Sequence, residues 1–106
     1  MAIARIWTCR SAPAHAEVYP RHFRDKVLPH LDDVPGFLGA MLMRREIDGA
    51  IEYTVLTRWV NMDSIRKFAG DQIDRAVVEP EAAAALLDYD KTVRHSEILE
   101  KVWASR

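Results

Sequence analysis

The chain has 106 residues, with 15 Lys+Arg against 16 Asp+Glu and 49% hydrophobic residues. That composition describes one small globular domain, expected over residues 1–106, and excludes both a disordered chain and a basic nucleic-acid binder. The single cysteine, Cys9, excludes an internal disulfide, and no apolar run reaches membrane-spanning length.

The opening residues lack the pattern of a signal peptide, so the cytoplasm is the expected location and no membrane partner is expected. Residues 2–10 read as a strand rich in β-formers, with Ile3, Arg5, Trp7 and Cys9 on one face and Ala4 and Ile6 on the other. Residues 13–31 read as a helix with Ser11 as N-cap and Pro13 in its first turn. Its apolar stripe is Tyr19, Phe23, Val27 and Leu31. Pro20 is expected to kink or split this helix, and Pro29 to mark its end.

Val34-Pro35-Gly36 is a turn, and residues 37–46 form the second strand. Asp48-Gly49 is a hairpin signal leading into a strand over 51–60, where Ile51, Tyr53, Val55, Thr57 and Trp59 share a face. Asn61 caps a helix that Gly70 stops. Residues 71–78 read as a short helical turn, 80–87 as another helix opened by Glu79-Pro80-Glu81, and 91–103 as the last strand.

The order β-α-β-β-α-(α)-β is the split βαβ pattern of a ferredoxin-like α+β fold with a four-stranded antiparallel sheet. Helices cover one sheet face. The other face also carries apolar residues, so a homodimer through that uncovered face is expected.

Several segments together resemble the antibiotic-biosynthesis-monooxygenase superfamily: Ile3-Ala4-Arg5-Ile6-Trp7, Pro35-Gly36-Phe37-Leu38-Gly39-Ala40, Val55-Leu56-Thr57-Arg58-Trp59, Ile65-Arg66-Lys67-Phe68-Ala69-Gly70 and Asp74-Arg75-Ala76-Val77-Val78. The resemblance spans the chain in order and spacing. It implies a dimeric α/β barrel with a pocket in each subunit between helices and sheet. Some members of that superfamily oxygenate aromatic substrates without metal or flavin, and others bind and degrade haem.

The oxygenase branch implies a cofactor-independent monooxygenase acting on a small aromatic or quinol, with Trp59 as an indole donor to a substrate oxygen. Arg5, beside Trp7, is the residue that would stabilise a substrate enolate. His95 is the candidate general base, since imidazole titrates near neutrality. Phe23, Val27, Phe68, Val78 and Leu87 are the expected apolar lining, with His22 at the pocket mouth. The alternatives are a non-catalytic dimer that binds a small hydrophobic ligand, and a haem protein with altered ligation through His22 or His95. The residues that mark the haem branch are replaced here by Ile6 or Trp7, Phe68, and Val77 or Val78. No cofactor is therefore expected, with haem left open.

His15, His22 and His30 lie seven and eight residues apart, not the spacing at which helical neighbours converge on a metal, so no metal site is expected from them. Gly36, Gly39, Gly49 and Gly70 form no phosphate-binding loop.

Overall fold

The computed structural model describes residues 1–104; the last two residues of the expected domain lie outside the described residues. The first strand, β1 (Ile3–Ser11), is the centre of the sheet. It pairs antiparallel with β3 (Ala50–Trp59) along its whole length, and β3 pairs with the edge strand β2 (Phe37–Ile47). On the other side of β1 lie two short strands, β4 (Asp88–Tyr89) and β5 (Arg94–Glu97). The sheet thus has five strands. The expected last strand is shorter, because residues 98–104 pair with nothing regular, and its place along β1 is shared with β4.

Strand alternation sets the layers. Ile51, Tyr53, Val55, Thr57 and Trp59 are buried towards the helices, as are Ile3, Arg5, Trp7 and Cys9 of β1. The β2–β3 hairpin turns on Asp48 and Gly49, whose φ values of 50° and 76° fit a two-residue connection between Ile47 and Ala50. On the opposite sheet face Ala4, Ile6 and Leu56 are flanked by Met41 and Met43, both exposed. The same face holds Arg58, whose buried Nε has no hydrogen-bond partner among the described residues.

The first helical region differs from a single helix. Pro13–His15 form a 3-10 turn, followed by α1 (Val18–His22), a π-helical turn (Phe23–Val27) and α2 (Leu28–Asp32). Pro20 falls in the first turn of α1, where an N–H would have no intrahelical partner, and so does not break it. The distortion comes before Pro29, which cannot donate: the Leu28 N–H reaches back to the Phe23 carbonyl, and the ladder widens there. Ser11 closes β1 instead of capping, and its Oγ donates to the Ala12 carbonyl.

In α3 (Met62–Ala69), the Asn61 side chain accepts from the Ser64 N–H at 3.0 Å, and Gly70 stops the helix at φ 84°. Residues 71–79 form no helix, only one hydrogen-bonded turn in which the Arg75 N–H donates to the Gln72 carbonyl at 3.0 Å. The rest of the segment is irregular, joined to Thr92 by one antiparallel bridge at Arg75. The final helix, α4 (Pro80–Ala84), ends before Leu87. No helix among the described residues is long and apolar enough to cross a membrane.

Candidate functional site

Between the helix-covered sheet face and α1–α2 lies a small cavity of about 60 Å³, whose wall includes Arg5, Trp7, Tyr19, Thr57 and Phe68. Val27, also expected here, lies in that wall, and Val77 of the irregular segment closes it. A second space of about 30 Å³ shares Trp7, Tyr19, Val27, Phe68 and Val77 and opens outward past His22, Val78 and Glu79. The fold therefore brings Arg5, Trp7, His22, Val27, Phe68 and Val78 to one cleft.

Arg5 is the polar feature of that cleft, and it is 5% exposed. Its Nη1 donates to the Ile73 carbonyl at 2.6 Å and its Nη2 to the Arg75 carbonyl at 3.0 Å. Nη1 also lies 3.0 Å from Nε2 of His95. A guanidinium has five N–H donors; these three contacts leave Nε–H and one Nη2–H without partners among the described residues. The guanidinium carbon sits 5.7 Å from the centre of the Phe68 ring. Among the described residues no carboxylate pairs directly with it; Asp74, whose charge acts on it, is bound to His95.

His95 stands opposite Arg5 in the β1–β5 register, with Nδ1 3.1 Å from the Asp74 carboxylate. Arg5 can only donate, so Nε2 must accept and Nδ1 must carry the proton that goes to Asp74. Burial, reinforced by the Arg5 charge and opposed by Asp74, lowers the His95 pKa and favours this neutral form. Burial likewise pulls the Arg5 pKa down to about 10, with Asp74 opposing it, which leaves the guanidinium charged near neutrality.

Four expectations are corrected by these positions. Trp59 is fully buried in a cluster with Ile3, Leu31 and Ile65, and its indole N–H donates to Thr57 Oγ1 at 2.8 Å. That N–H is already committed, and the cavity wall is formed by Thr57 instead. Both ring nitrogens of His95 are engaged, by Arg5 and Asp74, so it holds Arg5 in place and has no lone pair free for a substrate proton. Leu87 is 62% exposed beyond the end of α4, outside the cleft. Phe23 is buried in the core beside Tyr19 rather than in the cavity wall.

The Trp7 indole is also satisfied, donating to the Asp90 carbonyl at 2.7 Å, so Trp7 presents its ring and not its N–H. Thr57 was not expected at this site. Its Oγ1 accepts from Trp59 and keeps its own proton to donate. Tyr19 was read only as part of the helical stripe, yet it lines the cavity and its mouth.

The sequence model for antibiotic biosynthesis monooxygenases matches residues 2–80. The chain belongs to the antibiotic biosynthesis monooxygenase family. No curated protein sequence matches it. Among solved structures it is similar to a family protein from Caulobacter crescentus CB15, at 20% identity and TM-score 0.67, over 93% of this chain and 91% of that one. It is also similar to the monooxygenase ActVA-Orf6 of Streptomyces coelicolor, solved with nanaomycin D, at 15% identity and TM-score 0.62, over 98% and 92% of the chains. A third is the haem-degrading MhuD of Mycobacterium tuberculosis, at 20% identity and TM-score 0.60, over 95% and 99%. At these identities the likeness establishes the shared ferredoxin-like fold. As it stands, the cavity has room neither for haem nor for a single aromatic ring. Pockets for drug-sized ligands run roughly 300–1,000 Å³, against about 60 Å³ here. The lining of this cavity includes no histidine, while His22 and His30 border the space that opens outward from it.

Proposed function

We propose that the chain is a cofactor-independent monooxygenase-like protein that binds a one-ring phenol or quinol as its anion. The observation that carries this reading is Arg5: a buried cation without a directly paired carboxylate, at the edge of an apolar cavity. Burying such a charge is costly, and an incoming phenolate offsets that cost while gaining a charge-assisted hydrogen bond. Arg5 thereby lowers the phenol's pKa in the site, and water takes the released proton.

The bound phenolate then passes one electron to dioxygen. Superoxide couples to the ring radical, the peroxide anion takes back the proton that water had accepted, and the resulting hydroperoxide loses water to leave a quinone. In sum a phenol and dioxygen give a quinone and water. Thr57 donates to the same oxygen from β3, while Trp7, Tyr19 and Phe68 pack the ring. Entry of even a single ring requires the segment around Val77 to move outward, since a benzene-sized cavity is about 150 Å³. The protein acts as a homodimer through the uncovered sheet face, where exposed Met41 and Met43 and the unpaired Arg58 Nε await a second copy. A pocket that binds the phenolate without turnover is the second reading, favoured because His95, the imidazole beside Arg5, is engaged at both ring nitrogens.

Oxygen-electrode assays with simple quinols test the reading. Oxygen uptake above the uncatalysed rate, with quinone formed in proportion and both lost in Arg5→Met, supports catalysis. Tight binding without uptake leaves the binding module, and neither binding nor uptake removes both.

A further inference from the structure

The mouth of the cleft holds a second cluster that the reading above does not use. His22 ends α1, Glu79 precedes α4 and Glu81 lies in its first turn. One ligand atom from each of the three lies within 4.8 Å of the others. The His22 side chain is only 10% exposed, yet its Nδ1 stands 3.8 Å from Glu81 Oε1, beyond hydrogen-bond range. The imidazole side chain is therefore nine-tenths buried and faces two carboxylates, hydrogen-bonded to neither, while its nitrogens keep contact with solvent.

We infer that His22, Glu79 and Glu81 bind a divalent first-row cation at the mouth of the cleft. One imidazole and two carboxylates suit Zn²⁺ or Mn²⁺, and three protein ligands leave a position open. Bonds of about 2.0–2.2 Å need ligand atoms roughly 3.4 Å apart. The Glu81 side chain, 61% exposed, is free to swing inward by the difference. An ion there would link α1 to α4. Its open position would face a surface groove of about 250 Å³, bordered by Tyr19, Arg21, Asp25 and Lys26 on one side and Ala82 and Ala85 on the other. Neighbouring Asp25 supplies further negative charge, and Arg21 and Lys26 oppose it.

Chelator-treated protein titrated with Zn²⁺ alone in a calorimeter, and with Mn²⁺ by electron paramagnetic resonance, tests this independently of any oxygenase activity. One ion per chain is expected, with a thermal transition that rises on Zn²⁺ addition. His22→Ala, and separately the exposed pair Glu79→Gln with Glu81→Gln, should each weaken binding by about 100-fold or more and abolish the thermal shift. Circular dichroism of each variant separates lost ligands from lost fold. Absence of saturable binding below about 1 mM, or folded variants that bind as tightly as the parent, would overturn the site.

Discussion

Arg5 Nη1 lies 3.0 Å from His95 Nε2, so the buried guanidinium donates to an imidazole nitrogen that must accept. The contact joins the first strand to the last. Through Asp74, and through the Ile73 and Arg75 carbonyls, it also pins the segment that closes the cleft. The neutral imidazole lets Arg5 keep its charge turned towards the cavity.

That arrangement predicts a pH dependence. The folded-state pKa of His95 is lowered from 6.5. The unfolded chain therefore binds more protons below that value, and folding stability is full above it. Stability is lost as pH falls through the folded pKa. Thermal unfolding of wild type from pH 8 to pH 5 should show a steeper decline than His95→Gln, whose amide oxygen still accepts from Arg5. Parallel declines would show that His95 is not the group responsible.

Trp59→Phe tests whether this indole is structural. Loss of the bond to Thr57 and of part of the ring should cost about 1–3 kcal/mol in stability. Affinity for a small phenol should stay within about twofold. A selective loss of affinity with unchanged stability would return Trp59 to the site.

Gly36 carries a packing constraint. Its φ is 92°, and an added Cβ would stand 2.0 Å from Ser64 Oγ and 2.7 Å from Val60 Cγ1. Gly36→Ala should cost about 2–4 kcal/mol through combined strain and overpacking. For a domain of this size that lowers the melting temperature by roughly 10–20 °C. Unchanged melting would mean the turn can relax.

Much of the fold is legible from local signals. Alternation from Ile51 to Trp59, the Asp48-Gly49 turn and the Asn61 cap with its Gly70 stop each depend on neighbours in sequence. The site depends on distant ones. Nothing around residues 71–79 announces that their carbonyls will be held by Arg5, because the partner lies 68 and 70 residues away. The roles of Trp59 and His95 were misread for a related reason: residue type shows what a group can donate, while the fold decides where that donor or lone pair is spent. His22 and Glu79 converge only because α1 and α4 pack side by side, which no helical spacing reveals. Leu87 was placed one turn too far because α4 ends at Ala84.

Cys9 offers a check on the core. The side chain is fully buried, and burial pushes its thiol up to about 12. A thiol-disulfide reagent such as Ellman's should find no reactive group in the native protein and one per chain in denaturant. Prompt native labelling would mean that β1 is more open than described.

The most direct test of the account is the ionisation of a bound phenol. Binding of 4-nitrophenol, followed by absorbance across pH, reports whether Arg5 favours the anion. The expected result is a pKa lowered by about one unit or more on binding to wild type, with no lowering in Arg5→Met. A phenol that does not bind, or one whose pKa in the site stays at or above its solution value, would contradict the assignment of Arg5.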